Sequence, residues 1–555
     1  MAEEIEKDLA RGAAPAGDAA AANAPAGDRA QPIDRTALTR TAGRGGLWQV
    51  GGLLWQTIVQ YGTSMVLMRL LAPENYGMYG MALLAQGLIS RIGVLGTTSG
   101  VIAKQDATED DLSSAFWLSA GVQAALFLIA FAAAPLAAIY FKTDDVTWVM
   151  RATAVTFLFS AVGATSSALL AKRLQFAALK IIEGGAFAVQ MGSAIILAIC
   201  VWKNYWALVM SMLVGSLAAT VATVAYARWL PRLRVRAASL RYMFRYGIHG
   251  LGASLTDYFH HNIDYMVVGR LLGQGSLGIY QVAFAIPHMV IDRLAVPVGN
   301  VVFPTLAKVQ ESDEALIGGY MKVTRYLAFL VFPMMGGMAA VAEPAILVLG
   351  GEKWLGVVGP LQILCIRVAA ACICTCIGYV FLCRNRPDLI FKYGLVTAGF
   401  TIVVVVVLGY LFGLYGVAWG MVISLAPNAL IIRKAFRMTH TPVRKLVATL
   451  VPPAVTAAAS SAAAFLVCQG LGQADLSVLV GFFTSHGAPA AEAEQTLRVG
   501  GPVLDELVRL VASVATGAAA YLAVMRVFFA DSMRDVWETV RVVFARSPRT
   551  GVSVS

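Results

Sequence analysis

The sequence predicts an all-α polytopic membrane protein with about 14 transmembrane helices, arranged as two related six-helix lobes plus two C-terminal helices. The composition, the length of the apolar runs and an internal repeat support this fold. Of the 555 residues, 58% are hydrophobic and 14% are charged, and the mean hydropathy is +0.70. A soluble protein of this length needs more charge to cover its surface, so the apolar excess must face lipid.

The length of the apolar runs favours helices over barrel strands. A spanning helix needs about 20 mostly apolar residues, and runs of that length fill the chain from residue 45 onward. Barrel strands would alternate over about 10 residues instead. The predicted spans are 45–71, 75–103, 114–141, 146–171, 176–201, 204–229, 242–271, 275–306, 319–342, 355–383, 388–412, 414–436, 446–469 and 505–530.

The spans group into regions with different compositions. The first 44 residues are rich in Ala, Gly, Pro and Asp without an apolar core, which predicts a disordered cytoplasmic tail. The last 25 residues place apolar and basic side chains on different faces and predict an interfacial cytoplasmic helix. The predicted regions are a tail at 1–44, an N-lobe at 45–235, a C-lobe at 236–440, two extra spans at 441–530 with an outer loop at 470–504, and a second tail at 531–555.

Basic residues in the connections predict the orientation. They concentrate after the even-numbered spans, and cytoplasmic loops carry such an excess. Both termini are therefore predicted to be cytoplasmic. This bias accounts for the net charge of +11, so the charge does not predict a nucleic-acid partner. Membrane lipid is the predicted partner. The residues are Lys172, Arg173, Arg232, Arg234, Arg236, Arg384, Arg386, Arg437, Arg444 and Lys445.

An internal repeat relates the two lobes. "RLLAPENYGMY" at 69–79 and "RLLGQGSLGIY" at 270–280 agree at five of eleven positions with a constant offset of 201. Six spans separate the copies, so both cross the membrane in the same direction. A parallel repeat of this kind predicts two lobes related by an axis along the membrane normal, with a substrate site between them. Arg69 and Arg270 end their helices, where a cation meets the negative end of the dipole.

Four stretches carry a family resemblance. "RLLAPENYGMYGMA", "RLLGQGSLGIYQVAFAI", "VVFPTLAKVQ" and "FPMMGGMAAVAEPAILVLGGEKW" resemble the polysaccharide-transporter (Wzx/WzxC-like) branch of the MOP flippase superfamily, which includes MATE-like antiporters and the lipid II flippase. The resemblance covers residues 40–440. It implies a flippase that moves an undecaprenyl-pyrophosphate-linked oligosaccharide to the outer leaflet of a bacterial inner membrane. Such a flippase would serve the assembly of O-antigen, capsule or exopolysaccharide. The expected partners are polymerase and export machinery, and no cofactor is expected.

Three arginines inside spans are candidates for substrate contact, because intramembrane charges are costly. Arg91 on span 2 and Arg293 on span 8 lie at similar depths, and a guanidinium offers the fork that pyrophosphate oxygens need. The resemblance also favours Arg91. The alternative is that each arginine pairs with a carboxylate such as Asp292 or snorkels to the interface. Arg367 in span 10 is expected either to tune substrate choice or to form an ion pair.

Span 7 carries an ionisable stripe. Asp257, His261 and Asp264 share one helical face, and two carboxylates beside a histidine suit proton or sodium coupling. Asp292 is a further coupling candidate, with His288 one turn before it. The alternative is a self-satisfied polar cluster that fixes helix packing. Shifted by 201, the stripe falls on the polar residues of span 1, which are expected to line the cleft: Gln49, Gln56, Gln60 and Thr63.

No motif predicts an enzyme or a metal site. Cys372, Cys374 and Cys376 spread around an apolar helix and do not converge on one ion. Neither lobe has a phosphate-cradling glycine loop, a zinc motif or a Ser–His–Asp set. The alternatives to a flippase are a MATE-like drug or cation antiporter and, from a different class, a polyprenyl-linked glycan polymerase or ligase with its site on an outer loop.

Overall fold

The computed structural model describes residues 52, 55–92, 109–173, 175–229, 231–232, 237–471 and 490–528, without side chains at 237–253, 296, 300, 301, 471–505 and 528. Within these ranges every regular element is helical, which confirms the predicted fold class. The chain divides into two compact units, Met1–Leu53 and Leu54–Ser555. All described residues except Gly52 belong to the second unit. The predicted tails at 1–44 and 531–555 lie outside the described residues.

Six helices form what we call the first half, residues 55–227. Pro73 opens the second of them, where its missing N–H costs nothing. Asn204 caps the sixth by accepting a hydrogen bond from the Trp206 N–H at 3.0 Å. These helices are α1 at 55–70, α2 Pro73–Ile92, α3 Glu109–Phe141, α4 Asp145–Lys172, α5 Phe176–Cys200 and α6 Tyr205–Ala227.

The second half, residues 237–471, contains two long helices that turn back without a loop. Gly273 (φ 80°) and Gly413 (φ 60°) make these turns in backbone conformations that suit glycine, and both turns coincide with predicted span boundaries. The elements are α7 Ala237–Val290, a π-helical segment Ile291–Ala295, α8 Val296–Lys308, α9 Asp313–Ala340, α10 Ala342–Leu349, a 3₁₀ turn Glu352–Val357, α11 Val358–Cys374, α12 Ile377–Cys383, α13 Pro387–Ile423, α14 Asn428–Met438 and α15 Arg444–Leu471; α16, Ala490–Phe528, follows them.

The described helices include ten segments that are long and apolar enough to cross a membrane. Two of these, Ser254–Lys308 and Pro387–Met438, have 55 and 52 residues. Each is long enough for two crossings of about 20 residues, and each contains one of the glycine turns. The protein is therefore a multi-pass membrane protein, while the count of fourteen spans stays a prediction.

The two halves meet at a symmetric helix crossing. A Cβ on Gly77 would overlap the Gln274 backbone, and a Cβ on Gly278 would overlap the Pro73 backbone. The offset of 201 maps Gly77 onto Gly278 and Pro73 onto Gln274. The glycine of each motif therefore packs against the backbone of the other motif. A two-fold axis between the lobes requires such a reciprocal contact.

Two predicted elements differ from the structure. The predicted outer loop 470–504 is helical from Ala490, because "AAEAEQTLR" consists mainly of good helix formers. The cysteine-bearing helix of span 10 is not continuous, since a turn at 375–376 separates α11 from α12.

Candidate functional site

A cavity of about 340 Å³ lies between the two halves. One wall comes from α1, and the other comes from α7, on both sides of the Gly273 turn, and from the π-helical segment. The Tyr61 hydroxyl donates to the Met289 sulfur across it. The lining combines aromatic, amide and charged groups, an unusual mixture for helices that face lipid elsewhere. The lining residues are Gln60, Tyr61, Tyr265, Phe284, Ala285, His288, Met289, Asp292 and Arg293.

One face of α7, continued into the π-helical segment, supplies three of the polar and aromatic lining groups, those of Phe284, His288 and Asp292. Tyr280, Phe284, His288 and Asp292 recur at intervals of four residues and therefore share a helical face. The Phe284 and His288 ring centroids are 4.8 Å apart, and His288 Nε2 lies 3.8 Å from Asp292 Oδ1. The two aromatic members were not predicted from the sequence. The four-residue spacing was the signal that could have identified them.

The π-helical segment Ile291–Ala295 presents Arg293 to the cavity. Pro287 precedes this segment and Pro297 follows it, and proline removes the backbone N–H that a regular helix uses. Single-turn π segments recur at functional sites. Among the described residues, no ion pair joins Arg293 to a carboxylate, although it interacts electrostatically with Tyr61.

Arg91 lies in the last turn of α2, half-buried, in a different neighbourhood from Arg293. Its guanidinium is 5.5 Å from the centroid of the Tyr258 ring, and the Tyr258 hydroxyl donates to the Leu84 carbonyl at 2.5 Å. Arg91 is not part of the cavity lining. In the part of the chain that the structure describes, it makes no ion pair with Asp292. The structure therefore brings Arg91 to an aromatic side chain of the other half.

Arg367, on α11, connects the first cavity with a second one. Its guanidinium is 5.2 Å from the Phe284 ring centroid, and it also lines a cavity of about 310 Å³ together with His260 and Thr375. Its Nε is buried without a hydrogen-bond partner among the described residues. It interacts electrostatically with Asp264, but no described ion pair joins the two. The ion pair, which was one of the two roles expected for Arg367, is thus not formed among the described residues, and the role in substrate choice stays a prediction.

The ionisable stripe of span 7 divides into two environments. Asp257 and His261 are exposed, and their Oδ1 and Nδ1 atoms are 3.2 Å apart. Asp264 is completely buried and accepts a hydrogen bond from the Tyr280 hydroxyl at 2.9 Å. Its Oδ1 has no hydrogen-bond partner within the described ranges. The turn at Gly273 causes this difference, because it folds Tyr280 back onto Asp264.

The span 1 residues of the predicted stripe also differ from one another. Gln60 lines the cavity, Gln56 is half-buried, and Thr63 is buried. Gln49 lies outside the described residues. No cluster of three or more metal-ligating side chains exists in the ranges that the structure describes, and the cysteines are free thiols.

Comparisons with known proteins agree on one family. Residues 66–359 match the family described as polysaccharide biosynthesis protein. The chain is 28% identical over 301 residues to the teichuronic acid biosynthesis protein TuaB of Bacillus subtilis, and this match covers 54% of the chain and 62% of the relative. It thus spans less than two thirds of TuaB. The lipopolysaccharide biosynthesis protein WzxC of Escherichia coli is 23% identical over 395 residues, covering 69% of the chain and 79% of WzxC.

A solved structure supports the fold. The lipid II flippase MurJ in an inward closed conformation superimposes with a TM-score of 0.66, covering 88% of this chain and 99% of MurJ. The sequence identity is 13%, so the likeness concerns the fold alone.

Proposed function

Because the chain belongs to the polysaccharide biosynthesis protein family, we propose that it is a flippase for an undecaprenyl-pyrophosphate-linked oligosaccharide. It carries the repeat unit across the bacterial inner membrane for exopolysaccharide, capsule or O-antigen assembly. Both termini lie in the cytoplasm, and the polymerase and export machinery receive the product. TuaB and WzxC, which are named for the biosynthesis of teichuronic acid and of lipopolysaccharide, support this choice of substrate class.

The observation that carries the proposal is a pair of arginines, one in the cavity lining and one on the ring of the lining residue Phe284. Arg293 lines the same cavity as Phe284, and Arg367 stacks on the Phe284 ring. Neither arginine is neutralised by an ion pair with a described carboxylate. Holding such a charge within a membrane costs about 2.5–3.5 kcal/mol, which an anionic ligand would offset. A pyrophosphate supplies the anion, and planar guanidinium groups match its oxygens.

The surrounding groups fit the sugars that follow the pyrophosphate. Gln60 and Tyr61 offer hydrogen-bonding groups to hydroxyls, and Tyr265 and Phe284 offer flat aromatic surfaces. The two halves then rock about the crossing of Gly77 and Gly278, so that the cavity opens to each side of the membrane in turn. The polyprenyl chain stays in lipid, where it needs no polar pathway.

We also propose that transport is coupled to a proton or sodium gradient. Asp264 is the strongest candidate for this role because its carboxylate is buried with one oxygen unpaired. The Asp257–His261 and His288–Asp292 pairs are further candidates, since protonation of either histidine changes charge near the cavity.

A drug or cation antiporter is a second candidate function. Asp264 favours it, because a buried carboxylate beside the aromatic rings of Tyr265 and Tyr280 resembles a site for an organic cation. The two arginines argue against a cationic substrate, since a cation would be repelled by both. A glycan polymerase or ligase has less support, because the predicted outer loop is helical from Ala490.

Deletion of the gene tests the proposed function. A strain without the protein should accumulate a lipid-linked glycan on the cytoplasmic face and lose its surface polysaccharide. Wild-type protein should restore export, whereas Arg293→Ala should not. Arg151→Ala is the matched control, because Arg151 stacks on Phe131 and Trp148 within the first half. Normal surface polysaccharide together with a loss of drug tolerance would favour the antiporter instead.

A further inference from the structure

We propose that Arg69 and Arg270 form two latches that hold the two halves together at one end of the bundle. This is the end that carries the turns after α1, α3 and α10, and we assign it to the outer side. The inference rests on the proposed function only for alternating access, because the contacts themselves need no substrate.

Arg69 reaches from the first half to the second. It lies in the last turn of α1, and its Nη2 atom donates to the carbonyl oxygens of Leu347 and Val348 at 2.8 and 2.6 Å. These two residues lie in the last turn of α10, whose carbonyl groups have no N–H partner within the helix; the Leu347 oxygen also accepts a hydrogen bond from the Gly351 N–H. The second half also donates a hydrogen bond to the same turn of α1, from Lys353 Nζ to the Arg69 carbonyl oxygen at 2.8 Å.

Arg270 makes the reverse connection, from the second half to the first. Its Nη1 atom donates to the Ile139 carbonyl oxygen at 3.0 Å and also to the Tyr140 carbonyl oxygen. These two residues lie in the last turn of α3. The guanidinium also lies 5.6 Å from the centroid of the Tyr140 ring.

The repeat relates the two arginines but not the carbonyl groups that they bind. The offset of 201 maps Arg69 onto Arg270, whereas it maps Ile139 and Tyr140 onto residues 340–341 at the end of α9, seven positions before Leu347 and Val348. In both halves, nevertheless, an arginine near the end of one helix binds carbonyl groups at the end of a helix in the other half. A cation also meets the negative end of a helix dipole there, so each latch adds charge to its hydrogen bonds.

The latches bias the conformational equilibrium. Separation of the halves at this end removes the guanidinium donors from four carbonyl oxygens at once, although the Leu347 oxygen keeps its backbone hydrogen bond from Gly351. A hydrogen bond to a charged group contributes more than a neutral one. The conformation closed at this end is thereby favoured. Because a transporter must also leave that conformation, loss of a latch should shift the population and not merely weaken the fold.

Pulsed EPR distance measurements on the purified full-length chain in lipid nanodiscs test the latch. Nitroxide labels at Asp144→Cys and Glu352→Cys report on the two halves, since both positions are exposed near this end. The native cysteines that are not buried, Cys200, Cys374 and Cys468, are replaced by alanine. No substrate is added, so the result does not depend on which glycan the protein carries.

We expect the ratio of long to short distances to rise about tenfold in Arg69→Ala and about tenfold in Arg270→Ala, and further in the double variant. Arg151→Ala, which loses contacts only within the first half, should leave the ratio unchanged. An unchanged ratio in both latch variants would overturn the proposal, whether or not their thermal stability falls. Lysine variants at positions 69 and 270 serve if the alanine variants do not fold, and they should give intermediate shifts because an ammonium lacks the planar fork. An unchanged ratio in the lysine variants would overturn the proposal equally.

This result is separable from the test of the flippase function. A protein that fails to restore polysaccharide export can still show the expected change in the EPR distances. Conversely, unchanged distances in Arg69→Ala would contradict the latch but would not affect the result of the lipid-linked glycan assay.

Discussion

The carboxylate of Asp264 accepts a hydrogen bond from the Tyr280 hydroxyl at 2.9 Å, while its other oxygen is buried without a partner in the described part of the chain. The two residues lie on the two arms of α7, on either side of the Gly273 turn. A buried polar oxygen without a partner is costly. Because the neighbouring Tyr265 lines the cavity, we propose this oxygen as the place where a coupling proton or sodium ion binds.

Asp264→Asn should uncouple transport from the ion gradient. Asparagine preserves the volume and can still accept the Tyr280 hydrogen bond, so the protein should insert normally. We expect export to fall about tenfold, equivalent to ~1.4 kcal/mol, and to lose its response to an uncoupler. The measurement is polysaccharide export with and without the uncoupler, at matched protein levels.

Asp257→Asn is the informative comparison for Asp264→Asn. It removes the exposed pair with His261 but leaves the buried carboxylate intact. If Asp257→Asn abolishes the uncoupler response and Asp264→Asn does not, coupling runs through the exposed pair. If both variants keep the response, the stripe has a packing role only.

Removal of Arg367 should impair export without unfolding the protein. Arg367→Ala deletes a guanidinium that contributes about 2 kcal/mol through its desolvated contact with Phe284, and it removes a cation that we assign to pyrophosphate. Arg367→Lys should restore part of the export, because it keeps the charge but not the fork. Export assays at equal membrane abundance measure this. Wild-type export by Arg367→Ala would remove the residue from the proposed site.

Variants of Arg91 and Tyr258, which are in contact, distinguish an effect of charge on export from an effect of packing on stability. Arg91→Ala should abolish export while the protein still inserts. Tyr258→Phe keeps the ring but loses the hydrogen bond to Leu84, so it should cost only about 1 kcal/mol of stability and retain export. Thermal unfolding in detergent and export assays measure the two effects. Normal export by a well-expressed Arg91→Ala protein would contradict its role.

Gly278→Ala should destabilise the junction of the halves. The added Cβ would overlap the Pro73 carbonyl, and backbone cannot move aside as a flexible side chain can. We expect a loss of about 1–3 kcal/mol, measured as a lower thermal midpoint of the purified protein. Gly121→Ala is the control, because open space surrounds this helical glycine and alanine favours a helix. Equal midpoints for both variants would show that the crossing tolerates a side chain.

Sequence reasoning predicts best what depends on local pattern. The apolar run lengths predict helices, and the offset of 201 correctly relates Arg69 to Arg270 and Gly77 to Gly278. These features need only spacing and residue type. The glycine turns at 273 and 413 are also local, since positive φ favours glycine.

The environment of the candidate site depends on contacts between distant residues, and this limits prediction. Asp257, His261 and Asp264 look equivalent on one helical face, yet only Asp264 is buried, because Tyr280 folds onto it. The stacking of Arg367 on Phe284 joins residues 83 positions apart in the sequence, and periodicity within one helix carries no information about such a pair. Arg91 and Arg293 similarly share a depth in the sequence pattern but occupy different neighbourhoods.

The symmetric crossing at Gly77 and Gly278 has a consequence for assembly. A surface in which residue i of one copy meets residue j of the other, and j meets i, is the defining property of an isologous homodimer interface. Each copy of the repeated motif is thus complementary to its counterpart. In this crossing the two halves correspond to dimer subunits that have been joined covalently, so their pairing is independent of protein concentration. Dilution in the membrane, which dissociates ordinary dimers, cannot separate these two.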